Sequence, residues 1–235
     1  GSGNGNHGTI SGATYTHGVG APVAQTAVID WNKGTNLITE SENLDNWTKN
    51  NNVTVASSSD IAPDGSTNAY TLTDDSNIYE YIQDANTTLA GDYVGSVFIK
   101  KTTGSLSHYA GMGMGSLNSY VVIDTTNGTA VDSGSNFTDI LVTSYNDDWW
   151  RVSAKATINN SVWPIALWPA ISLNGTTITA DATGSNTFWG AQMEKVDEVS
   201  SYIPTHGTAQ PSDVLLPQGL TTGRDITGVN LFENV

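Results

Sequence analysis

The sequence predicts an all-β fold: an antiparallel β-sandwich of jelly-roll type with extended N- and C-terminal arms. This prediction depends on a series of short runs with strand character, on turn dipeptides between them, and on the near absence of helical periodicity. Tight turns are indicated at 62–67, 125–129 and 173–177, where Asp-Gly or Asn-Gly supplies residues that tolerate positive φ. Such a series of short strands is typical of a closed sandwich.

The clearest strand is the run at 150–158, in which apolar residues alternate strictly with Arg151, Ser153, Lys155 and Thr157. A period of two is typical of an antiparallel strand that is buried on one face only. One helical turn is indicated near 41–47, with Ser41 as its cap. The predicted strands are 52–57, 68–73, 78–83, 93–101, 107–114, 119–124, 139–144, 150–158, 165–173 and 186–194.

The same alternation predicts which residues form the core. The predicted set is Trp150, Val152, Ala154, Ile158, Trp189, Ala191 and Met193. Replacing Trp150 with alanine should then cost about 3–5 kcal/mol, as for other core aromatics. Trp149 falls on the opposite face from Trp150. We expect it outside the core, covered by its loop or stacked on Arg151 rather than free.

Composition limits the classes of function. The 235 residues have a formal net charge of −15, only 13% of them are charged, and there is no cysteine. A nucleic-acid partner is therefore not expected, because few cations are left for phosphates. No apolar run is long enough to span a bilayer, so no membrane insertion is expected. No cofactor is predicted. Structural calcium is left open, because aspartates accumulate in the predicted turns.

Three regions follow from the pattern. Residues 1–35 form a glycine-rich N-terminal arm, 36–209 form the β-sandwich, and 210–235 form a C-terminal arm or linker. The arms contain apolar stretches of low charge at 23–31 and 212–217, which include Val28, Leu215 and Leu216. Extended segments of this kind can add as strands to the sheet edge of a neighbour. The arms are therefore predicted to mediate self-association.

A glycine strip lies in the predicted strand at 107–114 and its turn. Gly111, Gly113 and Gly115 share one face, and Tyr109 shares it too, while Tyr120 follows the turn. Strand glycines often mark a close approach by a ligand or by another chain. The strip is therefore a candidate groove for a glycan or for an arm of the next subunit, with a loose edge strand as the alternative.

Exposed aromatic side chains are the candidate glycan contacts, since sugar rings present apolar faces that pack on aromatic rings. The candidates are Trp149, Tyr109, Tyr120 and Trp168. Packing is the alternative role of each. Trp168 precedes a proline, which removes a ladder donor and places it at a strand end or edge. In the run at 78–83, both faces are plausible core faces.

Catalysis finds little support in the sequence. The four histidines are scattered, no His-Glu-x-x-His spacing occurs, and the Gly-x-Ser-x-Gly nucleophile elbow is absent. A carboxylate pair at the separation used by glycosidases stays open. The sequence predicts a non-enzymatic protein.

Several segments occur in a familiar order. They include "APDGSTNAYTLTD", "GSVFIKK", "DDWWRVSAKATI" and "FWGAQMEKVDEVSSYIPTHGTA". This order resembles a carbohydrate-binding-module-like jelly-roll domain of phage tail fibres and related virion or extracellular structural proteins, over about residues 36–209. Trp149-Trp150-Arg151 is similar to the Trp-Tyr-Arg strand opening of that family. The resemblance implies the fold and an extracellular or virion-surface setting, but no particular ligand.

Two hypotheses from different classes follow. The first is a structural subunit of a virion appendage or extracellular fibre that assembles through its terminal arms, with the glycine strip as one receptor. The alternative is a glycan-binding module that recognises a host or cell-surface polysaccharide through exposed aromatics. Removal of the arms should abolish assembly in the first case and leave binding intact in the second.

Overall fold

The computed structural model describes residues 14–15, 23–24, 34–76, 78–86, 90–105, 107–115, 120–159, 164–174, 177–179 and 182–211. The chain divides into two units, residues 1–31 with 213–235 and Asn32–Ser212. In the first unit, strand β1 (Thr14–Tyr15) pairs antiparallel with β2 (Val23–Ala24). All of the elements considered below belong to the second unit.

Most of the described chain is in strands, and the one helical piece within it is a 3-10 turn at Leu44–Asn46. The strands are β3 (Thr35–Asn36), β4 (Thr48–Asn50), β5 (Thr54–Ser57), β6 (Tyr70–Asp74), β7 (Tyr81–Gln83), β8 (Gly91–Lys100), β9 (Tyr109–Met114), β10 (Val121–Asp124), β11 (Thr129–Asp132), β12 (Phe137–Ser144), β13 (Trp149–Ile158), β14 (Ile165–Asn174), β15 (Thr177–Thr179), β16 (Gly184–Glu194) and β17 (Gln210–Pro211).

Within the described residues, the strands form two main antiparallel sheets. One has seven strands in the order β11-β10-β9-β14-β7-β4, with β15 paired to β14, and the other has six in the order β12-β13-β8-β16-β6-β5. The prediction of an all-β antiparallel sandwich of jelly-roll type is confirmed. Every predicted strand is present, because alternation and turn residues are both local signals. Gly65 and Gly128 take the positive φ that the turn dipeptides indicated, +88° and +66°.

The main core lies between the two sheets. Val152, Ala154 and Ile158 of β13 and Ala191 and Met193 of β16 are buried in it, as predicted. Trp150 packs against this core but is only partly buried. Its indole Nε1 donates to the carbonyl of Thr125, and the Lys101 ammonium lies 4.2 Å from its ring centroid. Trp150 therefore closes one end of the core instead of filling its centre.

The prediction that Trp189 points into the same core is wrong. The register between β16 and β8 shifts between Trp189 and Gln192, and Gly190 in this bulge has φ +62°. A bulge inserts one extra residue, so that the alternation of faces is interrupted. Phe188 and Ala191 consequently both face the main core, while Trp189 lies on the other side of the sheet.

Trp149 and Trp189 meet in a second apolar cluster on the outer side of the six-stranded sheet, together with Phe98 and the partly buried Tyr202. The segment 58–69 covers this cluster. Its Ile61 carbonyl accepts a 2.9 Å hydrogen bond from Trp149 Nε1, and its Asp60 forms an ion pair with Lys100. The expectation that Trp149 lies outside the main core and is covered is thus confirmed, but the expectation that its own loop covers it is wrong, because the covering segment comes from elsewhere in the sequence. Arg151 lies over Phe98 instead, 5.3 Å from the ring centroid.

A buried polar network fastens the start of the sandwich to β16. Asn36 is fully buried, and its side chain donates to the carbonyls of Ala191 and Ile203 at 3.2 and 2.8 Å. Its Oδ1 accepts from the backbone N–H groups of Ile38 and Met193 at 3.1 and 3.2 Å. One side-chain amide thus forms hydrogen bonds with four backbone groups. Without a partner, each of these groups would cost free energy in a buried site.

The motif "GAQMEKVDEVSSYIPT" continues the same network. Gln192 accepts from the Ile203 N–H at 2.7 Å and donates to Glu194 at 2.6 Å, and Glu194 also accepts from the backbone and hydroxyl of Ser200. Buried carboxylates and amides need such partners. This part of the resemblance is therefore explained by folding, because these side chains hold the segment at 200–205 against β16.

Ser41 does not cap the helical turn, which corrects the sequence prediction. The turn follows Asn43, whose side chain makes no capping hydrogen bond. Ser41 belongs to the polar network instead: its hydroxyl lies 2.7 Å from the Tyr202 hydroxyl and accepts from the Thr205 N–H at 2.8 Å. The Ser41 hydroxyl therefore binds residues distant in the sequence instead of the backbone N–H groups of the adjacent helical turn.

Asp84, just after β7, provides a pH-dependent test of the fold. It is 2% exposed. Burial raises the pKa of its carboxyl, and this effect outweighs the hydrogen bonds from Asn86, which lower the pKa. Because the pKa of Asp84 is higher in the folded state than in the unfolded state, the charged carboxylate destabilises the fold. The stability of the wild type therefore rises as the pH falls through the folded-state pKa toward 3.8, the ordinary value that applies to the unfolded chain. Asp84→Asn keeps an acceptor and removes the charge. We expect it to melt at a higher temperature than wild type at pH 7, with the difference shrinking toward pH 4.

The exposed Asp148→Asn is the matched control, since it removes the same charge without relieving burial. Thermal unfolding of the three proteins between pH 4 and 7 checks this prediction. If Asp84→Asn and Asp148→Asn behave alike at every pH, the burial of the Asp84 carboxylate does not limit stability.

Candidate functional site

The outer face of the seven-stranded sheet contains a row of aromatic and uncharged residues. Asn50 pairs with Tyr81 across β4 and β7, and Trp168 pairs with Gly111 across β14 and β9. The β7–β14 register, continued by one residue, sets Tyr81 beside Trp168. The full row across the sheet is Asn50, Tyr81, Trp168, Gly111, Val122 and Val131.

A second row runs beside the first. Gln83 pairs with Thr48 on one side and with Ala166 on the other, and Ala166 pairs with Gly113. Tyr120 stands at the start of β10, at the end of this row. Neither row contains a charged side chain. In a protein with a net charge of −15, an uncharged row across six strands is a distinct surface.

Trp168 is the centre of this face and is only 3% exposed. Tyr81 stacks on it with ring centroids 4.8 Å apart and planes 23° apart. Tyr120 meets it edge-on, with centroids 4.6 Å apart and planes at 81°. Both arrangements are favourable for aromatic pairs. The three rings form one interlocked unit, to which we refer as the Trp168 cluster.

The glycine strip makes room for this cluster. A Cβ on Gly113 would lie 2.9 Å from Trp168 Cζ3, and one on Gly111 would lie 3.2 Å from Trp168 Cβ. The indole therefore lies over the bare backbone of β9. Gly115 is not part of that contact: it ends the strand at φ +57°, and its Cβ would meet Ile158. The prediction of an open groove at these glycines is wrong, because a neighbouring strand of the same domain fills it.

Pro169 explains how Trp168 can lie in an interior strand. The β14–β9 register shifts between Trp168 and Ile171, and the proline, which has no N–H to donate, falls in that bulge. The bulge returns Ile171 to the outer face, where it packs with Trp168. The expectation that Trp168 lies at a strand end or edge is therefore wrong.

Four tyrosines surround Trp168 and are partly buried: Tyr79, Tyr81, Tyr109 and Tyr120. The Tyr79 hydroxyl donates to the Ile178 carbonyl at 3.0 Å, which fastens β15 to this face. Burial, and then the proximity of Tyr79 and Tyr81, raise the pKa of the Tyr120 hydroxyl above its usual range. The Tyr120 phenol is accordingly neutral and can donate as well as accept hydrogen bonds.

Three of the four predicted glycan-contact residues come together here, namely Tyr109, Tyr120 and Trp168. The expectation of an exposed ring is wrong for Trp168, which at 3% exposure supports the tyrosines around it. Trp149 does not: it belongs to the six-stranded sheet and is 1% exposed, so it presents no face to a ligand, which corrects its assignment as a stacking residue. Sequence reasoning missed Tyr79 and Tyr81. Their alternation with Ile78 and Ile82 was visible, but it does not say which face is inside.

The residues predicted to mediate assembly fall in two groups. Gly111, Gly113 and Gly115 contact their own domain, as described above. Val28, Leu215 and Leu216 lie outside the described residues, so arm-mediated self-association stays a prediction. The described strands β3 and β17 do pair, which places Thr35 beside Pro211.

No group of three or more His, Asp or Glu side chains within the described ranges is gathered closely enough to hold a metal ion, and structural calcium stays untested. Buried Asp74 and Glu80 lie close together, but their oxygens accept from the backbone and hydroxyl groups of 75–80. No helix in these ranges is long and apolar enough to cross a membrane.

No protein-family model matches the chain, and no curated protein matches it. Among solved structures, the chain is similar to the CBM22-1 xylan-binding domain from Paenibacillus barcinonensis, with 12% identity, a TM-score of 0.37, and coverage of 71% of this chain and 94% of that one. It is also similar to the CBM22-1–GH10 modules of an endo-1,4-β-D-xylanase from Clostridium thermocellum complexed with xylohexaose. There the identity is 16%, the TM-score is 0.37, and 72% of this chain and 29% of that one are covered.

Proposed function

We propose that the protein is a glycan-binding module and that its ligand packs on the Trp168 cluster at the outer face of the seven-stranded sheet. The observation that carries this proposal is the placement of Tyr81 and Tyr120 against a buried Trp168 on a face that points away from the core. Outward faces of antiparallel sheets are normally polar. An aromatic cluster at such a position is typical of a binding surface.

The chemistry of this face suits a sugar. Partly exposed phenol rings offer flat apolar surfaces to the C–H faces of pyranose rings, and their hydroxyls can exchange hydrogen bonds with sugar hydroxyls. Gln83 and Asn50 add amide donors and acceptors beside Tyr81. The two rows contain no carboxylate and no imidazole, so they favour binding over acid–base catalysis. The implied setting is extracellular, where polysaccharides are met; the virion or tail-fibre setting stays a prediction from the resemblance.

Binding to immobilised polysaccharides tests this function. We expect the wild-type protein to be retained by at least one polysaccharide of a broad panel, and Tyr81→Ala to weaken that binding by roughly tenfold or more, equivalent to about 1.4 kcal/mol. Tyr120→Ala should act in the same direction, because it removes the second partly exposed ring of the Trp168 cluster. Near-UV circular dichroism and the melting temperature of each variant establish that the fold is intact.

Tyr145→Ala is the matched control. Tyr145 is 53% exposed and packs against Phe98 on the outer side of the other sheet, so its loss should leave binding unchanged. Retention by no polysaccharide in the panel would overturn the proposal. So would equal binding by well-folded Tyr81→Ala, Tyr120→Ala and Tyr145→Ala.

A further inference from the structure

We infer that the ligand of this face is an uncharged polysaccharide and that acidic glycans are excluded. This inference rests on the proposed function and specifies the ligand class. Its basis is the distribution of charge in the described residues. The two rows carry no charge, and the described cations are engaged elsewhere. Asp124, on the same side of β10 as Val122, adds an anion whose carboxylate accepts from Thr126 and Asn127.

The first of the two uncharged rows extends over the whole width of the sheet. From β4 to β11 the outward positions of the first row are amide, phenol, indole and apolar groups, and the second row adds a hydroxyl and an amide. Hydrogen bonds and ring packing are therefore the interactions available to a ligand. An acidic sugar would lose part of the hydration of its carboxylate here and meet no cation in return.

Lys49 is the cation on the strand next to Tyr81. It alternates with Thr48 and Asn50, which belong to the two rows, so it points to the opposite side of β4. Its ammonium forms an ion pair with the Asp45 carboxylate at 2.9 Å and donates to the Asp45 carbonyl. It is therefore neutralised and directed away from the ligand.

The other five cations of the described chain lie on or beside the strands of the six-stranded sheet, and each has a partner. Lys100 pairs with Asp60, and Lys155 pairs with Asp197 at 3.0 Å. Arg151 donates hydrogen bonds to Ser200 and Ser96. Lys101 lies over the Trp150 ring and donates to Ser144 and Asn146. Lys195 lies over the Tyr93 ring. None of these groups lies on the two rows that carry the Trp168 cluster.

Long-range electrostatics act in the same direction. A net charge of −15 repels a polyanion at distances up to the screening length, about 10 Å at 0.1 M salt. A neutral polysaccharide experiences no such repulsion. Acidic glycans are therefore disfavoured in two ways: the two rows of the face offer them no cation, and the net negative charge of the chain repels them.

Affinity electrophoresis and calorimetry with the full chain test this inference. The probes are a neutral set (a β-glucan, a galactomannan and an arabinoxylan) and an acidic set (polygalacturonate, alginate and hyaluronate). Each is measured at low salt and at about 1 M salt, where the screening length falls to ~3 Å. We expect binding within the neutral set, a dissociation constant that changes less than about twofold with salt, and no retention by the acidic set at either salt concentration.

The variant Tyr81→Ala separates failure of this inference from failure of the proposed function. Binding of an acidic polysaccharide that weakens with salt and is lost in Tyr81→Ala would overturn the inference and leave glycan binding standing. Binding of a neutral polysaccharide that is tenfold or more salt-dependent would also overturn it. Retention by neither set would overturn the proposed function itself.

Discussion

Replacing Trp149 with alanine is expected to lower the free energy of unfolding by about 3–5 kcal/mol, the usual cost for a buried aromatic. Trp149 lies outside the main core, yet it is 1% exposed and packs with Phe98 and Trp189 under the segment 58–69. Its loss leaves a cavity and also leaves the Ile61 carbonyl without its indole donor. Urea denaturation followed by far-UV circular dichroism measures the effect.

Trp150→Ala is the informative comparison, because alternation alone predicts Trp150 as the core residue of the pair. Trp150 is only partly buried at one end of the sandwich, so its loss should cost less than that of Trp149. The expected order of stability is therefore the reverse of the order that the sequence suggests. A Trp149→Ala variant less than about 1 kcal/mol below wild type would show that the second cluster adds little to the cooperative unit.

Asn36→Ala is expected to destabilise the protein by about 4 kcal/mol, from four lost hydrogen bonds at roughly 1 kcal/mol each. The alanine would leave the carbonyls of Ala191 and Ile203 and the N–H groups of Ile38 and Met193 without this partner in a buried site. At ~2–4 °C per kcal/mol for a chain of this size, the melting temperature should fall by about 8–16 °C.

Asn36→Asp and Asn46→Ala are the control variants. Asn36→Asp retains an acceptor for Ile38 and Met193 but loses both donated hydrogen bonds and buries a charge, so it should also be severely destabilised. Asn46 is exposed in the 3-10 turn, and its loss should change stability by no more than about 0.5 kcal/mol. Similar melting temperatures for Asn36→Ala and Asn46→Ala would contradict the structural role assigned to the buried amide.

The candidate site was only partly predictable from the sequence, and Tyr81 shows why. Its alternation with Ile82 indicates opposite faces, but the pattern is the same whichever face is buried. The structure decides the matter through the pairing of β7 with β14, which brings Tyr81 onto Trp168. The glycines of β9 illustrate the converse: their bare face was visible in the sequence, whereas the side chain that fills it comes from more than fifty residues away.

The sequence by itself determined the all-β class, ten of the strands, the turns with positive φ and the inward face of β13, because period-two alternation and Asp-Gly or Asn-Gly turns act within a few residues. It did not predict β4, β11 or β15. Only the tertiary structure decided which strands pair and where a bulge interrupts the alternation of side chains between the two faces. The Gly190 bulge moved Trp189 out of the main core, and the Pro169 bulge kept Trp168 and Ile171 on one face. The physical reason is that alternation specifies relative sides within one strand, whereas register and bulges depend on partners distant in the chain.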